Sequence, residues 1–291
     1  MRLTARVPAT SANLGPGFDC FGIALDLCNE VTIDTDAEPG VSWEGEGADE
    51  LPTDGTDLVS RAIRHVAGIA AAGPRTVPPL AVRGLNRIPV QSGLGSSSAA
   101  TVAGIALASV LFDLANEPDP YTTFSIAAEI EGHPDNAAPA CFGGFTIAMA
   151  DGTVSRFDPH PGIRPVVLVP RRLRLPTDEA RAALPPLVPR ADAVFNVAHA
   201  AIAVQALTRD PTLLTRALHD RLHEGARLDL VPEVGLVADS VRAAGIAVCV
   251  SGAGPSLLAF PLDAKQVPDP GEDWLVLPLA VRASGFELDR S

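Results

Sequence analysis

Lysine is almost missing from this 291-residue chain: Lys265 is the only one, so nearly all positive charge is arginine. A GK[ST]-type phosphate loop is thereby excluded, because no lysine lies near a glycine-rich segment. Positive charge of any kind is scarce, with 22 basic residues against 35 acidic ones and a net charge of −13. An acidic surface repels nucleic acid and anionic lipid, and the sequence predicts neither as a partner. The same charge opposes a nucleotide, so any triphosphate site has to attract its ligand locally, through backbone N–H groups and a metal ion. The four cysteines (Cys20, Cys28, Cys141 and Cys249) show no CxxC spacing and read as free thiols rather than metal ligands or a disulfide framework. The N-terminus has no apolar signal-type run. The longest apolar stretch read from the sequence, Thr101 to Leu114, is interrupted by Gly104 and Ser109 and is too short to span a bilayer. A cytoplasmic location is expected.

What is abundant is apolar residue: 47% of the chain, against 20% charged, a globular composition with only one Tyr and two Trp. A chain of this length buries roughly three quarters of its unfolded surface and suggests two lobes. Alternating segments predict strands at Arg2–Val7, Glu30–Asp36, Leu80–Leu85, Pro165–Val169, Ala247–Ser251 and Ser256–Phe260, and a hairpin from Phe142–Met149 and Val154–Phe157 around Asp151-Gly152. Helical spacing predicts helices over Leu58–Ala72, stopped by Gly73-Pro74, and over Ser98–Leu114, Tyr121–Glu131, Ala191–Leu207, Leu213–Glu224 and Glu233–Ala244. Ala37–Thr56 reads as an acidic surface excursion. The Pro-rich stretch Asp158–Arg164 is the expected lobe boundary, dividing the chain into 1–158 and 159–291, with the residues after about 261 completing the second lobe. The class is α+β.

The strongest chemical signal is Pro89-Val90-Gln91-Ser92-Gly93-Leu94-Gly95-Ser96-Ser97-Ser98-Ala99. Two glycines allow backbone to approach a bulky anion, and three serines stand where a helix begins. A helix N-terminus offers unpaired N–H groups and about half a positive charge, which suits phosphate. The alternative is that the serines cap the helix and the glycines make its entry turn. Gly93-Leu94-Gly95 lacks the third glycine of a dinucleotide fingerprint.

This segment resembles the phosphate motif of the GHMP kinases. Val250-Ser251-Gly252-Ala253-Gly254-Pro255-Ser256 is similar to the C-terminal glycine motif of that family, whose turn lies beside the phosphate loop. Val7-Pro8-Ala9-Thr10-Ser11-Ala12-Asn13-Leu14-Gly15-Pro16-Gly17-Phe18-Asp19 resembles the substrate loop in the family's homoserine kinase branch. The resemblance runs from about residue 3 to about residue 260. It implies a two-lobed GHMP kinase fold, with an N-terminal mixed β/α lobe carrying the phosphate loop and a ferredoxin-like α/β C-terminal lobe. It implies Mg·ATP as phosphoryl donor and L-homoserine as acceptor, and leaves a homodimer open.

The site residues follow from the same resemblance. Asp19 would pair with the substrate ammonium, and Asn13 and Asn136 would orient the hydroxyl. Arg181, in a segment opening at Thr177, and Arg227 would each reach the carboxylate, for which a guanidinium fork is suited. In Glu129-Ile130-Glu131-Gly132-His133-Pro134-Asp135-Asn136, Glu131 is expected to hold magnesium with Ser97, Glu129 being the runner-up, while His133 faces the substrate. Asp57-Leu58-Val59 is expected to line the adenine pocket, and Gly252 and Gly254 the phosphate side. No general base is assigned; Asp135 is the one residue whose position could challenge that. Two other readings stay open: a GHMP kinase acting on mevalonate or a sugar, and a non-catalytic ligand sensor on the same fold.

Overall fold

In the computed structural model, residues 1–70, 73, 75–263 and 265–290 are described. In chain order the elements are β1 (Arg2–Ala12), β2 (Phe21–Asp34), β3 (Gly40–Gly45), α1 (Leu58–Ile69), β4 (Ala81–Asn86), α2 (Ser96–Leu111), α3 (Pro120–Glu131), α4 (Ala137–Phe142), β5 (Phe145–Ala148), β6 (Val154–Phe157) and β7 (Val166–Pro170). Then come α5 (Thr177–Ala182), α6 (Arg190–Thr208), a 3₁₀ turn (Pro211–Leu213), α7 (Leu214–Ala217), α8 (Glu224–Leu230), α9 (Pro232–Ala243), β8 (Ala247–Val250), β9 (Leu257–Phe260), β10 (Trp274–Pro278) and β11 (Glu287–Arg290).

One sheet runs β11-β1-β2-β4-β3, with β5 and β6 added beside β2, and all its pairs but β3–β4 are antiparallel. The first strand does not stop at Pro8 as expected. It continues to Ala12 across a register shift between Pro8 and Ala9, where a residue without an N–H is tolerated. The buried helix α2 lies against this sheet beside α1, and a Cβ on its Gly104 would come within 2.7 Å of both Ala62 Cβ and Val59 O of α1. That close approach holds the start of α1 against the middle of α2.

The second sheet is antiparallel in the order β10-β7-β9-β8, the arrangement of a ferredoxin-like sheet, and packs on α9 through Leu168, Val234, Ala238, Val241 and Leu257. The chain's end corrects one expectation. β10 joins this second sheet, but β11 crosses back to pair with β1, so the last residues serve the first sheet.

Other departures have local causes. Ala37–Thr56 contains β3, which pairs with β4 in parallel. The predicted helix Leu213–Glu224 is broken because the Asp220 carboxylate takes the backbone N–H groups of Leu222, His223 and Glu224 at 3.0, 2.7 and 2.8 Å, starting α8 instead. The first long helix ends at Ile69, and its expected stop falls partly on residues 71, 72 and 74, outside the described residues. Among the described helices, α6 is long and apolar enough to cross a membrane by length and composition alone. Here it packs by Ala203, Ala206 and Leu207 into the main core.

Candidate active site

The site begins at the turn into α2. Gly95 occupies the helix N-cap with φ 67°, a conformation that favours glycine. A Cβ there would lie 1.9 Å from Thr10 Oγ1, and one on Gly93 (φ 81°) would lie 2.2 Å from Ser251 O. Both glycines are therefore dictated by packing as well as by backbone conformation. The first intrahelical bond runs from Ala99 N–H to Gly95 O at 2.9 Å, and no side chain caps the helix. The serines thus leave the first-turn N–H groups uncapped, against the reading in which they serve only as caps. Ser98 is buried and donates its hydroxyl proton to Glu131 Oε2, whereas Ser97 is exposed on the cleft wall. Ser92 is buried, its hydroxyl on Pro89 O at 2.7 Å, and Ala99 is core; Pro89 and Ala99 back the loop rather than line it.

Around this turn three distant segments converge. Ser251 Oγ bonds Gly93 O and Ser11 Oγ, each at 2.8 Å, Gly252 N–H donates to Ala12 O at 2.9 Å, and Ser256 N–H to Ser92 O at 3.2 Å. Thr10 Oγ1 donates to Asn136 Oδ1 at 2.8 Å. The C-terminal glycine segment thus lies against the phosphate loop. A cleft of about 470 Å³ opens there, lined by Gln91 to Ser97, Glu131, His133, Asp135, Asn136, Thr177, Arg181, Arg227, Asn13, Gly252 and Gly254. A second cleft, of about 410 Å³, shares Leu58, Arg61, Gln91, Ser96 and Ser97 with it and extends over Asp57, Val59, Val90, Trp43 and Asn86.

Two features mark these clefts as built for charged, oxygen-rich ligands. Arg227 is 1% exposed and bonds Gly252 O (2.7 Å) and His223 Nδ1 (3.0 Å); among the described residues no carboxylate pairs with it and its Nε has no partner. Burial and the nearby Arg181 charge bring its pKa down to about 10. A buried guanidinium without a counter-ion, facing a cleft, favours an anionic ligand. At the other wall, Glu131 has a buried Oε1 with no partner among the described residues, and burial, partly offset by the Ser98 hydrogen bond, pushes its pKa up to about 6. A carboxylate and a hydroxyl are the donors magnesium prefers. Residues that fit such an ion are therefore present at the phosphate loop. Glu129, the runner-up, is exposed and lines neither cleft.

The loop from Asn13 to Asp19 is tightly organised. Asn13 (φ 57°) accepts from Asp19 N–H at 2.8 Å and donates to Gly252 O at 3.2 Å, so its amide also fixes the loop. Asp19 meets Arg181 in a two-pronged ion pair, Oδ1–Nη2 at 2.7 Å and Oδ2–Nη1 at 3.1 Å. Phe18 stacks on His223 at 5.2 Å and faces both Arg227 and Arg181. Asp135 is 1% exposed; its Oδ1 accepts from Asn136 N–H at 3.0 Å and lies 3.3 Å from His133 Nδ1, whose pKa it raises by hydrogen bonding. Both residues flank the cleft.

Sequence reasoning missed four features of the clefts: Trp43, Asn86, Arg61 and the role of Ser98. Trp43 sat in a segment read as a loop, and its indole N–H reaches Pro52 O at 2.8 Å. Arg61 was one arginine among many, and only the α1–α2 packing brings it to the junction of the two clefts. Ser98 could have been found by counting one residue deeper into the helix, toward the side that faces α3.

The comparisons with known proteins agree with this geometry. Residues 57–144 match the family model described as the GHMP kinases N terminal domain. The chain is 44% identical over 297 residues to a homoserine kinase from Clavibacter michiganensis, covering 98% of this chain and 93% of that relative. It is 44% identical over 269 residues to one from Leifsonia xyli, covering 91% and 82%. The crystal structure of a homoserine kinase from Cytophaga hutchinsonii superimposes with a TM-score of 0.83 at 26% identity, over 99% of this chain and 97% of that one. The chain belongs to the homoserine kinase family, within the GHMP kinases.

Proposed function

We propose that this enzyme transfers the γ-phosphoryl group of ATP to the side-chain hydroxyl of L-homoserine, giving O-phospho-L-homoserine, a step of threonine biosynthesis. The observation that carries this reading is the meeting, in one cleft, of an uncapped helix mouth with an unpaired buried arginine. The first suits a triphosphate and the second a substrate carboxylate.

The nucleotide's phosphates lie at the α2 mouth, on the N–H groups following Gly95, and its base extends into the second cleft against Trp43 and Asp57. Asp57, which lines that cleft, caps α1 through Oδ1, which accepts from Ser60 N–H at 2.9 Å, while its buried Oδ2 has no partner among the described residues. Magnesium would be held by Glu131 with Ser98, or with the expected Ser97 after a rotamer change. When bound, it would neutralise phosphate oxygens as the bond to ADP breaks.

The substrate carboxylate is taken by Arg227 and Arg181, its ammonium by Asp19, and its hydroxyl is aimed by Asn136 beside the phosphate loop. Phosphoryl transfer has a loose transition state, so positioning and charge neutralisation supply most of the rate. Asp135 is already engaged with Asn136 N–H and His133, which suits it to holding those groups rather than to taking the hydroxyl proton. Coupled ADP release measured with homoserine, serine, threonine, mevalonate and galactose tests the reading. Turnover is expected with homoserine; preference for mevalonate or galactose would transfer the chain to another branch, and no turnover with any acceptor would favour a sensor.

A further inference from the structure

The Asp19–Arg181 ion pair spans the two lobes: Asp19 comes from the turn between β1 and β2, and Arg181 from α5. Both side chains are about one-third exposed, 37% and 34%; Arg181 lines the cleft that holds Arg227, and Asp19 meets it through this pair. In this arrangement the acid and the base assigned to the substrate's two charged groups neutralise one another. Any ligand that uses either has first to separate them.

We infer that this pair is a zwitterion gate, a specificity device that admits ligands carrying ammonium and carboxylate on one carbon and penalises those carrying only one. The inference deepens the homoserine reading and rests on it. A zwitterion replaces the pair completely, its ammonium on Asp19 and its carboxylate on Arg181, so no charge is stranded. A lone carboxylate draws away Arg181 and leaves Asp19 without a counter-charge; a lone amine does the reverse to Arg181. Breaking a pair from one side costs more than the pair itself contributes, because the abandoned charge stays partly desolvated. Phe18 lies beside the pair, its ring centroid 6.0 Å from the Arg181 guanidinium and 5.4 Å from that of Arg227.

A simple contact model and the gate predict different outcomes for one substitution. Removing the amine from homoserine gives 4-hydroxybutyrate, and removing the carboxylate gives 3-amino-1-propanol. If Asp19 only contacts the ammonium, Asp19→Asn leaves 4-hydroxybutyrate binding unchanged. If Asp19 also holds Arg181 shut, the variant releases the guanidinium and 4-hydroxybutyrate binds more tightly, by about five-fold for a pair this exposed, while homoserine binds more weakly. Asparagine suits the backbone at this position (φ 54°), so the variant is expected to fold. Arg181→Gln is the reciprocal arm: it frees Asp19 and tightens 3-amino-1-propanol.

Titration calorimetry of the three ligands into wild type and both variants, with a non-hydrolysable Mg·ATP analogue present, reads all of this directly. Tighter binding of the single-charge ligand in its matching variant supports the gate. Unchanged or weaker binding in both arms overturns it, provided the wild type still turns over homoserine. A wild type without homoserine turnover would instead remove the substrate reading.

Discussion

Glu131→Gln separates what this carboxylate costs the fold from what it gives the reaction. Its carboxyl is held at about 6, against 4.5 for an ordinary glutamate, chiefly by burial. One pH unit of difference corresponds to about 1.4 kcal/mol, so the ionised form destabilises the unliganded fold by about 2 kcal/mol. The sign is fixed by the direction. A group with a raised folded-state pKa binds its proton more tightly when folded, so the penalty is absent below about 4.5, grows through 6 and is constant above. Glutamine keeps the shape and can still accept from Ser98, yet carries no charge. Urea unfolding without magnesium should therefore find Glu131→Gln more stable than wild type by about 2 kcal/mol at pH 8 and equal to it near pH 4.5. Added magnesium and nucleotide should stabilise wild type and leave the variant nearly unmoved, and turnover should fall by about two orders of magnitude or more. A variant equal to wild type in stability at both pH values, with magnesium dependence intact, would refute both the burial argument and the metal assignment.

Ser98→Ala should weaken apparent magnesium affinity more than Ser97→Ala, because only Ser98 faces Glu131 here; the reverse order in a magnesium titration of ADP release would restore Ser97 to that role. Arg227→Met should raise the homoserine KM by about 10- to 100-fold, the loss expected for charge-assisted hydrogen bonds, while the KM for ATP stays within about two-fold. Steady-state kinetics with each substrate varied checks this. Gly95→Ala has to displace Thr10 Oγ1 and adopt a left-handed backbone, so it should raise the ATP KM by more than about ten-fold in the same assay. Wild-type activity should rise with pH through about 6 as Glu131 ionises, and a profile flat from pH 5 to 8 would count against its role.

The chemistry of this chain was more legible in its sequence than its topology. The loop from Pro89 to Ala99 carries its conformation in residue order, because glycines that crowd against Thr10 and Ser251 leave little else admissible. Helices α1, α2, α3, α6 and α9 follow from apolar spacing and from stops such as Gly132, which closes α3 at φ 76°. What stayed hidden depends on distant partners. β3 is a strand because β4 lies beside it, and its alternating Val41 and Trp43 are masked by acidic neighbours. The short α5 follows a run of arginines and Pro176 with too few residues to show a period. The return of β11 to β1 joins residues near opposite ends of the chain, for which no local pattern exists. In the site, residue types were readable but their pairing was not: Asp19 and Arg181 were expected on two ends of a ligand, and in the structure they pair with each other.

The most direct test is an amide NMR titration of the ¹⁵N-labelled enzyme with a non-hydrolysable Mg·ATP analogue. The resonances of Ser96, Ser97 and Ser98, at the uncapped end of α2, are predicted to shift most strongly and to saturate together. Shifts confined to other surfaces, with those three amides unmoved at saturating nucleotide, would contradict the account at its root.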